Sequence, residues 1–302
     1  MSENILAIDI GGTSVKMGVV NECNILEFVS IKNIWKGKQN KLIPSISKTI
    51  DKWLLQYPDI NKIGIGCPGD IKEGVVLKAS NLEWENFEIV KLLKQKYSGF
   101  DIKIENDGRA ATLAELHHGK LKDVNTGLFV VFGRGVGGSI IINNQIYKGA
   151  SDLGGKFGHM VIKSGPKARN CNCGRKGCFE SYCSIAGLIQ TIKDINYRSE
   201  NREPLKNLGG LRVYELSSNN HPTVLKAIEN WNYDIAESLL SLVLIIDPTD
   251  IVLAGGVTES GLVNVEIIKK VFAEQRYDKI NIQISDFKGK AGLVGAATLH
   301  QI

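Results

Sequence analysis

Residues 5–20 read ILAIDIGGTSVKMGVV: an apolar run, a Gly-Gly-Thr turn, and a second run in which Val15, Met17 and Val19 recur at every other position. Alternation of period two marks a strand, and glycines between two such runs suit a hairpin. A third apolar stretch near Ile25 to Ile31 predicts a further strand. About 120 residues later, residues 128–142 read LFVVFGRGVGGSIII, again strand, glycine turn and strand. Two such units, each followed by helices and more strands, predict a duplicated α/β architecture.

Between and beyond these units the periodicity is mixed. Ile43, Ile46, Ile50, Trp53 and Leu54 predict a helix over 42–56, and Lys62 to Cys67 a strand that ends in Pro68-Gly69-Asp70. A helix is expected over 87–97. Ile102 to Glu105 is expected as a strand leading through Asn106-Asp107 into a helix that ends near His117. The chain reads as mostly helical from Ile185 through Ile246, then as a strand, Asp250 to Ala254, that meets Gly255-Gly256. Residues 282–284 and 291–297 predict a last strand and a last helix.

Composition bounds the function classes. The 302 residues are 43% hydrophobic and 23% charged, as expected of an ordinary globular chain of about two domains. The longest apolar run, Leu239 to Ile246, is interrupted by Ser241 and falls far short of a membrane span. No signal-like leader precedes Ile5, so a cytoplasmic location is expected, without membrane partners. The net charge of +5 is dispersed among acidic residues, which argues against a nucleic-acid partner.

Three constellations carry chemistry. In Asp9 to Lys16, the backbone N–H groups of Gly11 and Gly12 and the Thr13 hydroxyl suit phosphate oxygens, and Asp9 suits a water on magnesium; a plain hairpin turn is the alternative. The motif is not a dinucleotide fingerprint, because it leads from strand to strand and not into a helix. In Glu105-Asn106-Asp107, Asp107 is either a general base for an attacking alcohol or the N-cap of a helix that begins at Gly108, and Asn106 suits a sugar hydroxyl. Finally, His159 with Cys171, Cys173 and Cys178 supplies the donor set of a closed tetrahedral zinc site, structural in kind, that would hold the loop carrying Glu180. Reduced surface thiols are the alternative.

Taken in order, these motifs resemble the ROK family of sugar kinases and sugar-responsive repressors, and the resemblance covers nearly the whole chain. It rests on Asp9 to Lys16, Cys67-Pro68-Gly69, Ser80-Asn81-Leu82-Glu83-Trp84, Glu105-Asn106-Asp107 with Ala110 and Glu115, Gly135-Val136-Gly137-Gly138, Gly158-His159, Cys171 to Glu180, and Ile251 to Gly256. The resemblance implies duplicated actin-like ATPase (ribonuclease H-like) domains with a nucleotide and sugar cleft between them. The expected domains are 1–115 plus about 288–302, and 116–287 with the zinc loop. It implies ATP, Mg2+ and structural Zn2+, a hexose or N-acylhexosamine substrate phosphorylated at carbon 6, and a homodimer. Asp107 is implied as catalytic base, with sugar contacts from Asn81, Asn106, Asp107, Lys156, His159 and Glu180. ATP contacts are implied for Asp9, Gly11, Gly12, Thr13, Lys16, Arg134, Gly135, Gly137, Gly255 and Gly256. Repressor members carry a DNA-binding module ahead of the first glycine motif; here that motif begins at Asp9, and a kinase is the expectation.

Two positions depart from the family pattern. Gly133-Arg134-Gly135 stands where Gly-Thr-Gly is usual, so Arg134 either pairs with phosphate or obstructs it. In Gly155-Lys156-Phe157-Gly158-His159, Lys156 stands where a carboxylate is usual, and a lysine cannot accept hydrogen bonds from sugar hydroxyls. A changed substrate, weakened catalysis in a sugar sensor, and a Lys156 that points to solvent are the three consequences to separate.

Overall fold

The structure, a computed structural model, describes residues 3–200, 202 and 204–302. It divides into two units, one running through Lys122 and taking up the chain again at Lys290–Ile302, the other Asp123–Gly289.

In the first unit, β1 (Asn4–Ile10), β2 (Ser14–Asn21) and β3 (Asn24–Lys32) form an antiparallel meander. Helix α1 (Leu42–Gln56) then carries the chain over to β4 (Lys62–Cys67), which pairs parallel with β1. A small antiparallel sheet follows, of β5 (Asp70–Lys72), β6 (Val75–Ala79) and β7 (Trp84–Phe87), then α2 (Ile89–Lys96). Strand β8 (Asp101–Asn106) adds parallel to β4 and leads into α3 (Asp107–His118), so the main sheet has the order β3-β2-β1-β4-β8.

The second unit repeats this plan. Strands β9 (Thr126–Phe132), β10 (Val136–Ile142) and β11 (Gln145–Ile146) form the meander. After α4 (Phe179–Cys183), α5 (Ile185–Arg198), α6 (Gly210–Ser218) and α7 (Pro222–Ile246), strand β12 (Asp250–Ala254) pairs parallel with β9. The short α8 (Gly256–Glu259), then α9 (Val265–Glu274), lead to β13 (Asn281–Ile284) beside β12, giving the order β11-β10-β9-β12-β13. The chain ends in α10 (Ala291–Thr298), in the first unit.

Alternation in the strands decides the packing. Leu6, Ile8 and Ile10 of β1 face a core with Leu42, Ile46, Ile50 and Trp53 of α1, while Ile5 and Ala7 face Leu293, Ala296 and Ala297 of α10. Helix α10 is apolar on all sides, as a helix buried all round must be. Its small residues let it approach closely: a Cβ on Gly295 would stand 1.6 Å from the Ala110 carbonyl of α3, and one on Gly64 of β4 1.8 Å from that of Ala296. In the second unit, Leu128, Val130 and Phe132 of β9 and Ile251 and Leu253 of β12 bury against α7, where Trp231 meets the Phe132 ring edge-on at 6.3 Å.

Two expectations are corrected. The helix expected over 87–97 begins at Ile89, because Phe87 pairs across β6 with Val76 and packs edge-on against Trp84 at 5.2 Å. The helix expected to begin at Gly108 with Asp107 as cap begins at Asp107, and the cap is Asn106. The β5-β6-β7 sheet is absent from the sequence reading, since its strands are short and broken by turns.

Candidate active site

The glycine turns lie at equivalent places, joining the first two strands of each meander. In the first unit, Gly11, Gly12 and Thr13 follow the end of β1, and the Gly11 N–H donates to the Ser14 carbonyl at 2.8 Å. Asn33, just beyond β3, pins this turn twice: its Nδ2 donates to the Gly11 carbonyl at 2.7 Å and its backbone N–H to the Thr13 carbonyl at 2.8 Å. Its Oδ1 accepts from the Trp35 N–H at 3.0 Å, an Asx turn that fixes the side chain. Sequence reasoning missed Asn33; the Asn-x-Trp spacing after a strand was its only trace.

Asp9 and Lys16 face each other across the β1/β2 ladder, with Nζ 3.7 Å from Oδ2. Burial raises the Asp9 pKa and Lys16 pulls it back. Room for this carboxylate depends on Gly292, while Gly66 leaves it an ordinary contact distance. A Cβ on Gly292 of α10 would stand 2.8 Å from it. A Cβ on Gly66 of β4 would stand 3.7 Å from both Asp9 Oδ1 and the Asp107 Cα.

Asp107 is the first residue of α3. Asn106 Oδ1 accepts from the Gly108 and Arg109 N–H groups at 3.0 and 3.3 Å, and its Nδ2 donates to the Gly69 carbonyl at 3.1 Å. Asn106 therefore takes the capping duty and positions the helix end, leaving the Asp107 carboxylate with the Gly108 N–H at 2.9 Å. Burial first, and then the nearby charge of Asp9, push Asp107 up to about 6, against the pull of that N–H. A carboxyl group poised there can take a proton near neutral pH. Asn81 stands exposed in the turn between β6 and β7, with no side-chain hydrogen bond to the described residues.

In the second unit, the Gly133 N–H closes its turn on the Gly135 carbonyl at 3.0 Å. Arg134 is exposed at its tip, and its side chain makes no hydrogen bond or ion pair with the described residues. Gly255, at φ +99°, sits where a Cβ would be 2.2 Å from the Phe132 carbonyl, so Gly255-Gly256 and the second turn meet at the C-terminal ends of β12 and β9. Lys156 is exposed and precedes a single 3-10 turn, Phe157–His159.

His159, Cys171, Cys173 and Cys178 bring one donor atom each within 4.8 Å of one another. His159 Nδ1 lies 3.6 Å from Cys171 Sγ, and Cys173 Sγ 3.7 Å from Cys178 Sγ. A tetrahedral zinc with Zn–S of about 2.3 Å and Zn–N of about 2.0 Å has edges of about 3.5 to 3.8 Å, so these two separations fit it. Burial first, and then the two neighbouring sulfurs, push the Cys178 thiol up to about 12, the condition a cation would relieve. With Nδ1 toward the sulfurs, Nε2 is the ring's remaining polar atom. Glu180, in α4, is half-buried, with Oε2 accepting from the Val136 N–H at 3.1 Å and Oε1 3.8 Å from Cys171 Sγ.

Arg169 ties the loop down and was not singled out in the sequence. Its guanidinium donates to the Gly187 carbonyl, Thr191 and Asp194 at 2.8 to 3.0 Å and stacks on Tyr182 at 4.6 Å. Its partners lie on α4 and α5, so spacing along the chain carries no sign of the network.

Comparison with known proteins follows the same lines. The ROK family profile matches residues 5–302. A glucokinase of Halalkalibacterium halodurans is 26% identical over 314 aligned residues, covering 97% of this chain and 94% of that protein. A putative xylose repressor of a Caldicellulosiruptor species is 25% identical, over 98% of this chain and 77% of the repressor. Among solved structures, a ROK family glucokinase of Streptomyces griseus in complex with glucose and AMPPNP superposes with a TM-score of 0.84 at 27% identity, covering 99% of this chain and all of that one. These neighbours share the actin-like ATPase fold.

Proposed function

This chain belongs to the ROK family, and from that premise we propose that it is an ATP-dependent sugar kinase of glucokinase type, transferring the γ-phosphoryl group to a hexose hydroxyl, at carbon 6. The observation that carries the reading is Asp107, a half-buried carboxyl group raised to about 6 and relieved of capping by Asn106. It would take the hydroxyl proton as the alcohol oxygen attacks phosphorus, and hold it while ADP leaves.

The backbone N–H groups of Gly12, Gly135 and Gly137 and the Thr13 hydroxyl would cradle phosphates, with Gly11, whose N–H closes the turn on Ser14, shaping that cradle, Gly255-Gly256 near the nucleoside and Lys16 near the phosphate charge. Arg134, without a partner among the described residues, would add a charge-assisted phosphate contact where the family has a hydroxyl. Magnesium, when bound with ATP, would supply charge neutralisation at the phosphates, and Asp9 would hold its water. Asn81, Asn106, Lys156, His159 Nε2 and Glu180 would face the sugar. Zinc on His159, Cys171, Cys173 and Cys178 would be structural, since four protein donors leave no open position.

A coupled ADP-release assay across glucose, mannose, fructose and the N-acetylhexosamines tests the reading, with turnover expected on at least one of them. A second reading, a sugar-responsive protein without catalysis, has in its favour Lys156 in place of an acceptor and the similarity to a repressor. Tight sugar binding without ADP release on any sugar selects it. Lys156→Glu, expected to tighten a neutral hexose by about tenfold through the restored acceptor, separates a changed substrate from a solvent-facing lysine.

A further inference from the structure

Both segments that carry the cysteine and histidine donors touch the second glycine turn. Cys178 immediately precedes α4, whose Glu180 accepts from the Val136 N–H at 3.1 Å. At the start of α5, the Ile185 N–H donates to the Gly133 carbonyl at 3.0 Å. Gly158 immediately precedes His159, and a Cβ there would stand 1.9 Å from the Val136 carbonyl. A Cβ on Gly135 would stand 2.2 Å from Glu180 Oε2, so the carboxylate fills the space that a side chain at 135 would need. Its other oxygen lies 3.8 Å from Cys171 Sγ.

We propose that Glu180 is a positioning residue for the nucleotide: its carboxylate, seated between the Cys171 sulfur and the Gly135-Val136 backbone, makes the donor loop set the conformation of the Gly133–Gly138 phosphate turn. The assignment rests on the kinase reading for the identity of the ligand at that turn. With Oε2 fixed on the Val136 N–H, the turn holds its shape before nucleotide arrives, so less ordering opposes binding. The loop that gathers the metal donors thereby also fixes the turn.

The test is calorimetric binding of AMPPNP to the zinc-loaded full chain, with zinc content measured in parallel. Glu180→Ala is expected to weaken AMPPNP by about tenfold while zinc stays near one per chain, and Glu180→Gln, whose amide oxygen still accepts from Val136, to stay within about threefold of native. Gly135→Ala supplies an independent arm: it is expected to cost about tenfold in the native background and under about threefold alongside Glu180→Ala, where the carboxylate no longer fills the space. AMPPNP binding within about twofold of native in zinc-loaded Glu180→Ala overturns the assignment. So does an equal cost of Gly135→Ala in both backgrounds, or weakened binding that accompanies zinc loss and that Glu180→Gln does not restore. If the native chain releases no ADP with any sugar yet shows the expected binding pattern, the kinase reading fails and the positioning role stands. A native chain that binds no AMPPNP overturns both.

Discussion

The first and second glycine turns occupy the same place in two sheets of the same strand order, yet different chemistry holds them. The first is pinned by a neutral amide, Asn33, from the strand end next to it. The second is pinned by a carboxylate, Glu180, that comes from beyond a long excursion and rests beside a cluster of metal-type donors. The turns also differ by a residue, since Ile10 pairs with Val15 whereas Phe132 pairs with Val136. Duplication preserved the strand plan, which depends on apolar alternation, and left the anchors to diverge. One anchor is local and uncharged; the other depends on a loop whose donors must be gathered first.

This contrast can be broken most forcefully at the base, in the first unit. Asp107→Asn is expected to lower kcat by about 10²- to 10⁴-fold while AMPPNP binding, set by the turns, changes little; near-normal turnover would falsify the assignment of the base. Next in size is zinc removal. Chelation, or Cys171→Ser, is expected to destabilise the second unit so that calorimetry resolves a new, earlier transition, with the first unit's transition unmoved; less than about one zinc per two chains in untreated protein counts against the site. Asn33→Ala acts on the other side of the comparison, with an expected loss of about 1–3 kcal/mol in denaturant unfolding and no change in zinc content.

Asp107 also gives the two units different pH responses. With its group raised to about 6, kcat/KM is expected to fall about tenfold per pH unit below that value. For stability the sign is opposite to that of an ion-paired carboxylate. Between about pH 4 and 6 the folded chain keeps a proton that the unfolded chain releases, so stability falls as pH rises through this window. Asp107→Asn is therefore expected to stabilise the chain at pH 7 by roughly 1–3 kcal/mol, seen as a higher denaturant midpoint. The smallest effect belongs to Arg134→Thr, expected to raise the KM for ATP by about two- to fivefold through loss of a charge-assisted contact. An unchanged KM would leave Arg134 outside the phosphate site.

Much of the fold was legible because its signals are local. The Gly11-Gly12-Thr13 turn between alternating strands, the Cys171 to Cys178 spacing, and the period of Leu42 to Gln56 are each decided by residues a few positions apart. Less was legible where a competing partner decides. Asp107 and Asn106 are both good caps on composition, and only the reach of Asn106 to Gly69 and to the first N–H groups of α3 assigns the duty. Phe87 suits a helix by its neighbours and becomes a strand residue because Trp84 and β6 claim it.

By itself, the sequence determined the duplicated strand plan, the family, the four metal-type donors and the two positions where charge replaces a family residue. Patterns of apolar spacing and donor type suffice for these, because they follow from the period of a strand or helix and from the chemistry of single side chains. Tertiary structure alone decided that Asn33 pins one glycine turn and Glu180 the other, that Arg169 ties the donor loop to α5, and that Gly292 clears space for Asp9. The physical reason is the same for all: each depends on hydrogen-bond reach or close approach between residues 18 to more than 200 positions apart, and those distances exist only once the strands and helices have packed.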